Sequence, residues 1–274
     1  MEVVFEKVDK GMSRILVLGA HPDDAEFWAG GLLARHCKLG SILRLISVTN
    51  GQSGHHAMPA DELIVCRRQE AKKAGSIVNA DYITWDFEDG YLQPTIELRL
   101  AIIREIREFA PDLVLTHRPF DYHPDHRAVG QAVQDASYMV LVPKILPHLA
   151  PPPKEPIVAY MVDLFTRPSP FRPDVVLDVS EHWDSVISML DSHESQVYEW
   201  LPWIEKILDT VPQSRDARRA WLEKWFQEKV SARIPRFWNG PTGTTPKLIE
   251  AFEISEYAGK TSADTLAKLF PSSS

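Results

Sequence analysis

The chain has 274 residues, 44% of them hydrophobic, 21 prolines, two cysteines and a formal net charge of −8 at pH 7. The length suits one large α/β domain with a sizeable core, and the acidic balance argues against a general nucleic-acid surface, which needs clustered basic residues to replace counterions. Cys37 and Cys66 form no CxxC, which excludes a disulfide framework and a thiolate zinc site, while the absence of a signal peptide in MEVVFEKVDKGMSR and of an 18-residue apolar run leaves a cytoplasmic protein with no membrane span as the expectation.

The first element is a short apolar strand, Ile15–Leu18, which runs through Gly19-Ala20 into His21-Pro22-Asp23-Asp24. A helix is expected over 25–39, with Gly30-Gly31 permitting close packing against a sheet. Ser41–Thr49 is rich in Ile, Leu and Val without alternation, as in a strand covered on both faces. The loop NGQSGHH follows, then a helix over 61–78 capped by Asp61, a strand over 81–85 and a turn at Glu88-Asp89-Gly90. Pro94 opens a helix to Phe109 whose Ile96, Leu100, Ile103 and Ile106 share one face. A strand over 112–116, a polar loop over 117–125 and a helix over 126–142 complete four β-α repeats. That order predicts a mostly parallel sheet flanked by helices, a Rossmann-like three-layer arrangement.

Six prolines between Pro143 and Pro156 mark a connection. Beyond it, strands are expected over 157–165 and 175–179, helices over 181–208 and 214–230, a last strand over 247–254 and a frayed tail from Phe270. The whole reads as a single domain, with 13–142 as its motif-bearing core and 157–270 as a C-terminal, largely helical elaboration.

Chemistry concentrates at two places. HPDD follows the first strand, and His123-Pro124-Asp125-His126 follows the fourth, again in a Pro-containing turn before a helix. In an open parallel sheet, ligands bind beyond the carboxyl ends of the strands, so the two clusters are expected to converge. Two imidazoles and a carboxylate with open positions suit catalytic zinc, and the Asp and His left over supply acid and base groups. The adjacent Asp23 and Asp24 are equivalent by composition.

GAHPDDAEFWAGG, PDLVLTH and HPDH together resemble the PIG-L family, also called LmbE-like, of zinc-dependent deacetylases acting on N-acetylglucosamine-containing substrates. TNGQSG, RRQEAKKAGSIV, EDGYL and SHESQ are lesser matches, and the resemblance covers Ile15–Gly130. It implies that His21, Asp24 and His126 are metal ligands, that Asp23 is the general base, and that His123, oriented by Asp125, is cationic as the tetrahedral intermediate forms. It further implies that Arg67 contacts sugar hydroxyls, against which stands a surface i,i+3 pair with Glu70. Gln52 stands where the common family form has Glu.

The function expected is metal-dependent removal of an N-acyl group, above all N-acetyl, from an amino sugar or related small conjugate. The cofactor is Zn2+, with Fe2+ as another divalent candidate, and a homo-oligomer is compatible with the sequence. A non-catalytic metal- or sugar-binding domain and a non-haem iron oxygenase are the alternatives; the absence of GxGxxG weighs against a nucleotide site. His55 and His56 are expected in a solvated loop, His117 beside the site, and Asp121 and Tyr122 on the leaving-group side. The tryptophans of the C-terminal half are expected in a core or subunit interface, with stacking on a sugar ring as the alternative.

Overall fold

The computed structural model describes residues 12–240 and 245–272. Most of the N-terminal stretch read for a leader, and the last two residues of the tail, lie outside them. In chain order the elements are β1 (Arg14–Gly19), α1 (Asp24–Lys38), β2 (Ile42–Thr49), α2 (Ala60–Ile77), β3 (Ala80–Phe87), α3 (Ile96–Phe109), β4 (Leu113–Thr116), α4 (Pro124–Ser137), β5 (Ile157–Met161), β6 (Val175–Asp178), α5 (Trp183–Asp191), α6 (Leu201–Ile204), α7 (Arg215–Ser231), α8 (Ile234–Phe237), β7 (Ile249–Ile254) and α9 (Ala263–Leu269).

The strands form one seven-stranded sheet ordered β3-β2-β1-β4-β5-β7-β6. β1 to β5 pair in parallel, and β7 enters antiparallel between β5 and β6. Both faces are covered, which is why the strands read as continuous apolar runs. Ile15 and Val17 of β1 point into one core with α1 and α5, while Leu16 and Leu18 point into the other with α3 and α4, as the two-residue strand period requires. The C-terminal segment is thus not a separate layer: β5, β6 and β7 extend the same sheet.

Gly31 allows α1 to approach that sheet. A Cβ there would stand 2.5 Å from a Val179 methyl, whereas Gly30 faces Val186 and Met189 of α5.

Several expected boundaries move for local reasons. Pro59, not Asp61, precedes α2. Thr95 caps α3, its hydroxyl accepting from the Leu98 amide, and Pro94 lies just outside. The helix expected from His126 begins at Pro124, so Asp125 belongs with His126 to its first turn rather than to the preceding loop, and it ends at Ser137 rather than Val142. The long helix over 181–208 breaks after Asp191; a π-turn over Gln196–Trp200 and the short α6 follow. The strand over 157–165 stops at Met161, and the tail is preceded by α9, with Phe270 4% exposed against Phe252.

Candidate metal centre and active site

The sheet order fixes where the site lies. From β1 the chain winds outward through β2 and β3 and then returns to β4 on the other side, so the carboxyl ends of β1 and β4 flank the crevice where the winding reverses. HPDD leaves β1 there and HPDH leaves β4. Gly130 lets α4 come close: a Cβ on it would stand 2.5 Å from the His117 carbonyl oxygen. That approach delivers His126, on the first turn of α4, to His21.

The HPDD turn is strained. Asp23 sits at φ 146°, a region unfavourable for a residue with a Cβ, and its amide donates to the Tyr82 hydroxyl at 3.2 Å. The twist sends the neighbouring carboxylates different ways. Asp24 turns inward, accepting from the His21 amide at 2.7 Å, while Asp23 lies 3.4 Å from the Arg67 guanidinium, which also donates to the Pro22 carbonyl.

Three donors converge. His21 Nδ1 is 3.2 Å from His126 Nε2, His126 Nε2 is 3.3 Å from Asp24 Oδ1, and His21 Nδ1 is 3.6 Å from Asp24 Oδ2. Tetrahedral bonds of about 2.1 Å place neighbouring donors about 3.4 Å apart, so these spacings suit a divalent cation, with Asp24 turning Oδ1 to His126 and Oδ2 to His21; His123 and His117 lie within reach of the same cluster. The outward nitrogens are fixed in the matching sense. His126 Nδ1 donates to Asp121 at 2.9 Å, and His21 Nε2 faces Asp89 at 3.2 Å and Asp125 at 3.3 Å. Each carboxylate holds a proton on the far nitrogen and leaves the near one for a metal. His117 stacks on the His126 ring at 3.8 Å and stands 3.0 Å from Asp24 Oδ2.

The metal-free electrostatics follow from this crowding. Burial lowers the His126 pKa, but the carboxylates of Asp24 and Asp121 outweigh it and push it up to about 9. His21 is likewise raised: burial opposes, and Asp125, Asp24 and Asp89 prevail. Burial would raise Asp24, yet His126 and His117 hold it well below the usual carboxylate range. Asp23 is pushed up to about 6, by burial first, against the pull of Arg67 and with the push of Asp24. His123 falls to about 4, from burial and then from the cationic rings of His21 and His126.

His21, Asp23, Asp24, Arg67 and His123 all line one cavity of about 380 Å³; His126 and Asp125 stand behind its wall. The expected role of Asp125 needs correction. Its carboxylate accepts from the amides of Gly90 at 2.6 Å and Leu92 at 3.2 Å and faces His21, so it orients His21. What holds His123 is the Asp125 backbone amide, which donates to His123 Nδ1 at 3.2 Å. An acceptor Nδ1 places the ring proton of the neutral form on Nε2. Arg67, 2% exposed, forms no surface pair with Glu70. Glu70 instead accepts from the amide and hydroxyl of Ser195, both at 2.7 Å, tying α2 to the SHESQ segment.

His55 and His56 are not simply solvated. His55 Nε2 pairs with Glu199 at 2.9 Å, and His56 stacks on Trp203 at 4.9 Å. Trp183 and Trp225 are core residues, but Trp225 and Trp200 also reach the cavity. Cys37 and Cys66 are free and only half-buried. Asp89 and the buried pair of His193 with Glu26 at 2.9 Å carry no signal in the sequence beyond the short EDGYL and SHESQ matches.

Among known proteins, the PIG-L family profile, described as GlcNAc-PI de-N-acetylase, matches residues 16–137. A diacetylchitobiose deacetylase of Thermococcus kodakarensis is 26% identical over 72% of this chain and 76% of its own length. YaiS of Escherichia coli, an uncharacterized deacetylase, is 30% identical over 50% of this chain and 74% of its own length. A 4-oxalmesaconate hydratase of Pseudomonas putida is 24% identical over 68% of this chain and 74% of its own length. The solved N,N'-diacetylchitobiose deacetylase of Pyrococcus horikoshii superposes with a TM-score of 0.70 over 89% of this chain and 84% of its own, at 19% identity, a likeness of fold.

Proposed function

The chain belongs to the PIG-L family, and from that premise we propose that it is a metal-dependent hydrolase removing an N-acyl group, foremost N-acetyl, from an amino sugar or N-acetylglucosamine-containing conjugate. His21 Nδ1, Asp24 and His126 Nε2 would hold the ion, for which zinc suits a two-imidazole, one-carboxylate set; Fe2+ takes the same donors. When bound, the ion supplies Lewis acidity, polarising the amide carbonyl and lowering the pKa of the attacking water. The cytoplasm is the compartment we assign, supported by the two free cysteines. No helix among the described residues is long and apolar enough to cross a membrane.

Asp23 is the general base. Its carboxylate lies at the cavity wall beside Arg67, which favours the ionised form needed to take a proton from water. His123 Nε2–H is the donor available to the carbonyl oxygen as it gains negative charge. The proton gathered by Asp23 leaves on the amine nitrogen as the C–N bond breaks, so one water is consumed and a carboxylic acid and an amine are formed, the acid's proton passing on to the amine or to solvent. The observation that carries this reading is the donor triad with its two histidines locked from behind by carboxylates, with a base and a neutral imidazole beside it.

The test is a screen of the metal-loaded protein for free-amine release from N-acetylated amino sugars, with chelated protein as control. Metal-dependent release is expected. A hydratase among the relatives gives a competing outcome, since adding water to an activated double bond uses the same base and Lewis acid. Hydration of an unsaturated carboxylic acid, with no amine released from any amide, would overturn the hydrolase reading.

A further inference from the structure

The cavity also holds a cation that meets no carboxylate. Arg233 lines the cavity yet is 4% exposed. Its guanidinium lies over the Trp28 ring at 4.6 Å, and its two terminal nitrogens share one acceptor, the Phe27 carbonyl, each at 3.3 Å. Among the described residues no carboxylate oxygen comes within ion-pair distance of it. Glu250, the acid whose charge reaches it, is committed elsewhere, accepting from the amides of Gly31 at 2.6 Å and Leu32 at 2.8 Å. Two other charges of the lining cancel: Lys229 pairs with Glu205 at 2.6 Å, and Glu205 also accepts from Trp225 Nε1 at 3.1 Å. A buried charge lacking a counterion is costly, by several kcal/mol per ion in general, and a planar fork with spare N–H donors suits a carboxylate or phosphate bidentately.

The position relative to the chemistry is set by α1. Asp24 opens that helix and Trp28 follows four residues later, one turn or roughly 6 Å along the axis. The guanidinium on Trp28 therefore lines the same cavity as His21 and Asp24, against the turn of α1 that follows the Asp24 ligand.

We propose that Arg233 is a specificity residue that binds an anionic group of the substrate, so that the preferred substrate is an N-acyl amino sugar carrying a carboxylate or phosphate beyond the ring. Trp28 would back the guanidinium, and the rings of Trp200 and Trp225 would face the apolar part of the same substituent. This rests on the hydrolase reading for the position of the amide but not for the anion itself.

Binding separates the two. Isothermal titration of metal-loaded Asp23→Asn protein, in which turnover is expected to fall about 100-fold or more, would compare neutral N-acetylglucosamine with N-acetylmuramic acid, the carboxylate arm, and N-acetylglucosamine 1-phosphate, the phosphate arm. At least one acidic probe is expected to bind tenfold or more tightly than the neutral one, and the arm that does so identifies the anion. Adding Arg233→Met should abolish that preference, and Arg233→Lys should restore part of it. Circular dichroism and a thermal melt of both variants check that they fold. Equal binding of all three probes by the Asp23→Asn protein, or a preference that survives Arg233→Met, would overturn the proposal. A preference that is present and lost with Arg233, in a wild-type protein that releases no amine, would keep the anion site and sink the hydrolase reading alone.

Discussion

Asp23 and Asp24 are identical in composition and adjacent in sequence, and a single backbone torsion separates them. With Asp23 at φ 146°, one carboxylate faces the histidines and the other faces Arg67. That torsion has no signature in HPDD, so the sequence showed that the turn was chemical without showing which acid did what. Asp125 illustrates the same limit. HPDH suggests that it serves its neighbour His123, but the first turn of α4 aims its carboxylate at His21 instead. Asp125→Asn is therefore expected to weaken metal affinity by about 10- to 100-fold, read by competition with a chromophoric chelator; unchanged affinity would restore the role beside His123. For Arg67, the expected readout is a pH profile. Asp23 must be ionised to act, so kcat/KM rises with pH through its pKa, which is about 6 without metal and lower once a bound cation adds to the pull of Arg67. Arg67→Met should move that acid limb to higher pH, whereas a limb that stays in place would show that Arg67 does not tune the base.

At the level of elements, the strands and helices that carry the motifs were legible because their apolar patterns are strong and their ends are marked by Pro, Gly and Asp. The helix starts were less so. Pro124 at the first turn of α4 is a known N-terminal preference, but His123 as the capping residue is not, and a start at His126 leaves Asp125 in the loop although it belongs to the first turn. The SHESQ segment was harder still, since nothing periodic announces a π-turn held by Glu70 of another helix. Two element-scale outcomes follow. Gly130→Ala should destabilise the fold by about 1–3 kcal/mol, as overpacking does, and lower metal occupancy in the folded fraction, because α4 must retreat from the His117 carbonyl and carries His126 with it. Denaturant unfolding together with elemental analysis would measure both. Glu70→Ala should loosen the 196–200 segment, seen as faster amide exchange there, with the metal ligands unaffected.

Across the whole molecule, four β-α repeats were enough to predict a parallel sheet, and the convergence of two distant motifs followed from where such a sheet reverses its winding. The sequence could not show that β7 enters antiparallel between β5 and β6, because that pairing is set by long connections without local pattern. The metal ties the global stability to pH. In the chelated protein His126 is raised to about 9, above its ordinary value near 6.5, so its stabilising contribution is complete below about pH 6.5 and is lost as pH rises through 9. In the loaded protein the ring is already neutral, and proton competition for the ion fades over the same range. The difference in melting temperature between loaded and chelated protein should therefore widen from pH 6.5 to 9; a gap that narrows would contradict the assignment of His126 as ligand.

The most direct test measures metal content and amine release side by side in wild type, Asp23→Asn and Asp24→Asn. The expected result is that Asp23→Asn retains its metal while losing about 100-fold or more in turnover, as removal of a general base does, and that Asp24→Asn loses the metal and activity together. Loss of metal on Asp23→Asn, with Asp24→Asn still loaded, would reverse the two roles and contradict the account of the site.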